Sequence, residues 1–458
     1  MLVVSALLLT STAAVITTGC VNRDSPDPLP ASPAAGRAPL VSSGDAPADA
    51  DLPTLDENST LHDYLTYAAL DNPGLKSAFD RWRAALEKVP QAKSLPDPKL
   101  SYTEYVQAVE TRVGPQQWNV SLAQTFPWFG TLGLQGRAAT HAAEVARHQY
   151  EAAKLKLLYQ VKHVYYEYYY LGRAVAVTEE NVQLLTHLES VARARYRAGE
   201  APHSTLIRAQ VELGKLQDHL RALRDLQEPV VARLNAALNR DSEAPVPWPK
   251  ELPENDTAVT SEQLLEWLRQ GNPELKALDF VALKEADSIA LARKNRYPDI
   301  TLGVTYISTD DALMPGTSES GKDPVLAMLS VNVPIWARKY GAVEREAKAR
   351  LDSALNERRN RENSLVADLK MAWYNFRDAE RKIALYEETL IPQADQGLKV
   401  TQEAFKTGQA DFLDLIDAQR TLLEFQLMYE RALVNRAQRL AELEMLVGRE
   451  MPRSAAGD

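Results

Sequence analysis

From Ile300 to Tyr306 the chain alternates strictly, with Ile300, Leu302, Val304 and Tyr306 pointing one way and Thr301, Gly303 and Thr305 the other. Val325, Ala327, Leu329, Val331 and Val333 repeat the pattern against Ser330 and Asn332. Period-two alternation of this length predicts strands with one apolar face. Weaker alternation predicts two more strands, over roughly 99–107 and 118–126. Polar loops over 108–117 and 308–324 are expected to join the members of each pair.

Beyond each strand pair stands a Pro-aromatic junction, "TFPWFG" (125–130) and "VPIWAR" (333–338), and there the period changes. Val161, Val164, Tyr165, Tyr168, Leu171 and Val175 recur at spacings of 3 and 4, as do Leu365, Leu369, Ala372, Phe376, Ala379 and Ile383. Residues 134–198 and 340–405 contain almost no helix breakers, so each predicts one very long helix. At 1.5 Å rise such a helix reaches roughly 95 Å and must pack coiled-coil fashion along its neighbours. Turns are expected at "AGEAPH" and "TGQADF", each followed by a returning helix.

These elements occur twice. "DNPGLKSAF" (71–79) recurs as "GNPELKALD" (271–279), and "RAGEAPHSTLIRAQV" (197–211) recurs as "KTGQADFLDLIDAQR" (406–420). The predicted organisation is therefore a first repeat over 58–240, with a hairpin at 99–126 and long helices at 134–240, and a second over 261–448, with a hairpin at 300–333 and long helices at 340–448. A Pro-rich crossover at 241–260 separates them and a short tail, 449–458, follows. Residues 1–19 read as an export signal, and 20–57, rich in Pro, Ala, Ser and Asp, as a tether that cannot bury a core. Cys20, the only cysteine, rules out an internal disulfide and follows "TTG" in the manner of a bacterial lipoprotein cleavage box, which predicts lipidation there.

The net charge of −10 argues against a nucleic-acid partner, which calls for a basic patch. After Cys20 no apolar run is long enough for a membrane helix, so a membrane crossing must be made of strands. Four strands cannot close a barrel, for which about eight is the practical minimum, and open edges are costly in lipid. Partner copies are needed, and three would supply twelve strands. Catalysis finds no support: there is no CxxC, HExxH, nucleophile elbow or phosphate loop. His141 and His148 share a helix face without a third ligand, so neither a metal site nor a cofactor is expected.

The duplicated plan, the Pro-marked junctions and the paired tips "YRAGEAPHSTLIRAQ" and "FKTGQADFLDLIDAQ" resemble the TolC-like outer-membrane efflux proteins over about 60–448. That resemblance implies a mainly α fold with a small β part: long coiled-coil helices, and four strands per chain entering a twelve-stranded trimeric outer-membrane barrel. It also implies a lipid-anchored homotrimer working with a periplasmic adaptor and an inner-membrane pump of the resistance–nodulation–division type, and passing small molecules or metal ions outward. The duct of a type I protein-secretion system shares the architecture. A non-pore periplasmic coiled-coil adaptor is the alternative from another class, though it has no use for two alternating hairpins.

At the tips, Gly199 and Gly408 are expected to turn the chain, and Asp411 to start the returning helix, with Pro202 its counterpart at the first helical position. The resemblance places Asp414 and Asp417 at the periplasmic aperture as an acidic ring, with Arg208 in reach of Asp417 from an adjacent tip. The family's gate arginine would fall at Ala410, so that element is missing. His203 and Phe412, equivalent positions, are the expected adaptor contacts beside the two glycines, while Trp128 and Trp336 are expected in an interfacial aromatic belt.

Overall fold

The computed structural model describes residues 52–253 and 259–452; Cys20, with the predicted signal and nearly all of the tether, lies outside them. The first half runs α1 (Leu61–Asp71), α2 (Pro73–Lys93), β1 (Lys99–Thr111), β2 (Gly114–Phe126), α3 (Thr131–Arg197), α4 (His203–Asp225) and α5 (Gln227–Leu238). The second runs α6 (Ser261–Gly271), α7 (Pro273–Lys294), β3 (Ile300–Thr309), β4 (Val325–Val331), α8 (Ala337–Leu385), α9 (Ile391–Lys406) and α10 (Phe412–Val447).

The repeated Asn-Pro pair explains why each half opens with two helices. Proline fits the first position of a helix and asparagine caps it. Asn72 accepts from the Leu75 N–H at 3.0 Å, and Asn272 from those of Glu274 and Leu275 at 2.9 and 3.1 Å. Each asparagine also donates its Nδ2 to the end of the returning helix of its own half, at 2.9 Å to the Ala237 carbonyl and 2.9 Å to that of Leu446. One side chain thus starts a helix and holds the returning helix against it.

The 67-residue α3 is unbroken, as its pattern predicts. Its tyrosine run is core: Tyr165, Tyr166 and Tyr168 pack in one cluster with Tyr64, Leu234 and Val434. Tyr168 stacks on Trp248 at 4.4 Å and donates to the Val246 carbonyl at 2.9 Å, fastening the crossover to the helix. The corresponding helix of the second half is not uniform. Between α8 and α9 the residues Tyr386–Leu390 form a π-turn, closed by the Ile391 N–H on the Tyr386 carbonyl. Pro392 follows; its missing N–H and its ring exclude a regular bond to Glu388, and the wider turn absorbs the misfit. Likewise Pro229 accounts for the break at Leu226 that divides α4 from α5.

The four strands form one antiparallel sheet in the order β1-β2-β3-β4, so both outer strands keep an unpaired edge. The loop expected over 108–117 is instead paired strand: Val109 faces Gln116, Glu110 faces Pro115 and Thr111 faces Gly114. Polar residues are tolerated there because backbone pairing carries the ladder, helped by the 310–321 loop, whose Asp310 and Gly321 N–H groups donate to the Pro115 and Val113 carbonyls at 2.8 Å each; a register shift between Glu104 and Val109 adjusts the twist. The second hairpin opens early, as expected, and residues 310–324 form its loop.

Candidate functional site

Two places on this frame combine exposed chemistry with a defined arrangement: the sheet, and the pair of helical tips at the far end of the long helices.

On the sheet, pairing aligns Leu100, Leu122, Val304 and Ala327 in one row and Tyr102, Val120, Tyr306 and Val325 in the next. These rows share one face and are not covered, with Leu100 74% exposed. Trp118 lies between Tyr102 and Tyr306, at 6.1 and 5.7 Å. The opposite face carries Ser101 against Ser121 (2.6 Å) and Thr125 against Thr301 (2.9 Å). A sheet with one bare apolar face, one hydroxyl-lined face and two open edges has the form of a barrel segment.

At the first tip α3 ends with Gly199 at φ +80°, and at the second α9 ends with Gly408 at φ +76°. Both left-handed residues reverse the chain, and the N–H of the next residue reaches back: Glu200 to the Arg195 carbonyl (2.9 Å), Gln409 to that of Ala404 (2.8 Å). Asp411 caps α10, accepting from the Phe412 N–H at 2.6 Å. Pro202 takes the same capping position, one residue before the helical place expected of it.

Of the aperture residues, Asp414 is exposed but already engaged, its Oδ2 accepting the Asp411 N–H at 3.0 Å in a capping box. Asp417 is exposed, and among the described residues its one ion pair is with Arg420, at 3.5 Å. Arg208 is exposed and has no ion pair among the described residues. The tie between the hairpins lies elsewhere in the chain: Arg420 on α10 meets Glu212 on α4 at 2.5 Å, and Lys215 meets the same carboxylate at 3.0 Å. Burial pushes the Glu212 carboxyl up, but the bonds from Arg420 and Lys215 outweigh it and hold the group below its ordinary value.

A second tie is made by Arg195. Its Nη2 donates to the Lys406 carbonyl at 2.8 Å, and its guanidinium lies 4.4 Å from the Phe405 ring. Phe405 meets Phe412 edge-on at 5.7 Å, and Phe412 is only 1% exposed. This corrects the expectation for Phe412: the side chain plugs the inside of the second tip and offers no surface to an adaptor. His203, at the equivalent position, stays exposed and stacks on Tyr196 at 4.9 Å. Each ring meets the matched aromatic of its own tip, Tyr196 or Phe405, but Tyr196 is 42% exposed whereas Phe405 is 6% exposed, beneath the Arg195 guanidinium.

Roughly two to four turns from the tips, Gln419 donates to Asn181 at 2.9 Å, and Asn181 donates to Gln426 at 3.2 Å. This buried polar layer sets the register of α3 against α10. Nothing in the repeat pattern marked it, nor the two arginine ties, because each joins residues more than 200 positions apart.

Trp128 is half-buried, stacked on Tyr297 at 5.1 Å with its N–H held by Asp299 at 3.2 Å, while Trp336 is 68% exposed. Both stand where the sheet meets the long helices.

The sequence profile of the family described as outer membrane efflux protein matches residues 65–240 and 264–449, one segment for each repeat. The chain belongs to this family. Among relatives of this outer membrane efflux protein, the cobalt-zinc-cadmium resistance protein CzcC of Cupriavidus metallidurans is 23% identical over 407 residues, covering 85% of this chain and 90% of the relative. The outer membrane protein TolC of Vibrio cholerae is 22% identical over 378 residues, covering 80% and 85%. The fold is shared with the solved outer membrane protein VceC of Vibrio cholerae, at a TM-score of 0.71 and 16% identity over 85% of this chain and 96% of that one. The outer-membrane channel OprN superposes with a TM-score of 0.74 at 16% identity, over 85% and 89%. The efflux protein is thus an outer-membrane channel of a tripartite efflux pump, and its family is one of channels rather than enzymes.

Proposed function

We propose that three copies of this efflux protein close their sheets edge to edge into a twelve-stranded barrel, with the helical hairpins continuing as a passive tunnel. The observation that carries this reading is the open four-stranded sheet, apolar and bare on one face with both edges unpaired. Unpaired backbone groups cost several kcal/mol each in lipid, so β4 of one copy takes β1 of the next. The tips then surround the periplasmic mouth and meet an adaptor that links the duct to an inner-membrane pump, with His203 and the Gly199 and Gly408 turns on the contact surface. Asp414 and Asp417 project there as rings, and focused negative potential favours cations over anions. Asp417 carries more of this effect, because Asp414 is engaged in the helix cap. Cys20 anchors the mature chain by its lipid. The relative named for cobalt, zinc and cadmium resistance supports metal ions as the cargo class.

Mass measurement in mild detergent joined to planar-bilayer conductance tests the reading. A species of three chains that conducts, with lower cation preference in Asp417→Asn, is expected. A monomer without conductance defeats it.

A further inference from the structure

The end of the sheet that meets the long helices carries two layers of exposed chemistry. The first is apolar: Phe129, Val333, Ile335 and Trp336 are all bare side chains just past β2 and β4. The second, directly beyond it, is cationic. Arg338 and Lys339 lie in the first turn of α8, Lys294 ends α7 and Lys99 opens β1. Among the described residues none of these four has a carboxylate within ion-pair distance. Lys339 and Lys294 instead lie near the rings of Tyr340 (5.6 Å) and Tyr297 (5.5 Å). Beside them Arg293, Arg296 and Lys348 share the single carboxylate of Glu344, at 3.1, 2.8 and 3.2 Å.

The surrounding sequence keeps this layer positive. Residues 111–143 and 324–343 contain no acid. The acids nearest this layer are Asp97, Asp299 and Glu344; Asp299 accepts from the Trp128 backbone N–H, and Glu344 is taken up by three cations. The N-termini of α3 and α8 face this level beside the C-termini of α2 and α7, so the helix dipoles offset one another and the side chains set the charge.

A bilayer boundary has the same order of layers, acyl chain and then phosphate. An acidic protein would meet the cations but leave the apolar ring uncovered. We propose that this collar is a headgroup site that selects anionic over zwitterionic phospholipid in the leaflet on the helical side. Apolar anchors set the depth, and Arg338, Lys339 and Lys294 bind the anionic headgroup. The proposal rests on the reading that the sheet spans the membrane.

The full chain is reconstituted in phosphatidylcholine bilayers carrying brominated phosphatidylglycerol or brominated phosphatidylcholine, and quenching of tryptophan emission gives the relative association constant. The expected preference for the anionic lipid is roughly five-fold for each cation in reach. Arg338→Gln with Lys339→Gln lowers it about 25-fold, to the roughly five-fold that Lys294 still supplies, and adding Lys294→Gln brings it close to unity, while the charge-keeping pair Arg338→Lys with Lys339→Arg retains it. Lys399→Gln, a cation near the second tip paired with Asp395, leaves it unchanged. Trp336→Phe removes much of the quenchable emission. Equal quenching by the two lipids in the unmodified protein, or an undiminished preference in the double glutamine variant, overturns the headgroup site and leaves the barrel standing. A protein that does not enter bilayers at all overturns both.

Discussion

Replacing Arg420 by alanine removes the ion pair between the two hairpins and leaves Glu212 with Lys215 alone. The arginine side chain is 51% exposed and the glutamate 18%, so the pair belongs at the upper end of the surface range, about 1 kcal/mol. The contact to Asp417 is longer and solvated, and adds little. In the proposed ring, three chains acting together lose about 3 kcal/mol of closing free energy, a shift of roughly 150-fold toward separated tips. Single-channel recording of Arg420→Ala, Glu212→Gln and the double variant measures this. Open probability should rise strongly in each single variant, and the double variant should be no more open than either. Independent, multiplying effects, or an Arg420→Ala channel within two-fold of the unmodified one, would refute a clasp at this pair. Arg208→Ala is the companion measurement. Arg208 has no ion pair among the described residues, so an effect there is the one expected of a contact to the neighbouring copy. Because Glu212 titrates below its ordinary value of 4.5, its contribution is complete above that pH and is lost as pH falls through the lowered value. Acid should therefore open the unmodified channel below about pH 4.5 and leave Glu212→Gln indifferent.

Phe412→Ala should cost about 3–5 kcal/mol locally, since the ring is fully enclosed, and hydrogen exchange should show early opening confined to residues near 405–416. Gly408→Ala meets open space, so its cost is the left-handed backbone alone, about 1–2 kcal/mol, seen as a lowered protection of the second tip with the first unchanged. Burial holds the Tyr64 and Tyr165 hydroxyls at about 12, above the ordinary 10. Their contribution is complete below pH 10 and is lost as pH rises toward 12. Chemical denaturation should therefore show a loss on the order of 2–3 kcal/mol per tyrosine across that window, reduced in Tyr64→Phe.

Local signals carried the plan of this molecule a long way. The Asn-Pro pairs, the glycine turns and the alternation of β3 all act through the backbone within a few residues, and so were legible. What the pattern missed are long-range effects. The paired strand around Thr111–Gly114 lacks a strong turn dipeptide and has no buried face to impose alternation. The π-turn leaves no trace except Pro392, which a helix can absorb in more than one way. Phe412 and His203 hold matched positions and each meets the matched aromatic, Phe405 or Tyr196, yet only the Phe405–Phe412 pair is buried. The acidic pair was legible as a charge pattern, while the capping duty of Asp414 and the cation beside Asp417 required the geometry.

The two unpaired edges have a genetic consequence. In the proposed three-chain ring one sheet supplies both the donor and the acceptor edge of every seam, so a chain with a damaged β1 or β4 spoils a ring even when its neighbours are sound. With equal expression of sound and damaged chains, roughly one ring in eight would be free of the defect. Edge substitutions in this protein should therefore behave as dominant alleles, while substitutions buried under the long helices, which unfold their own chain before it can join, should be recessive.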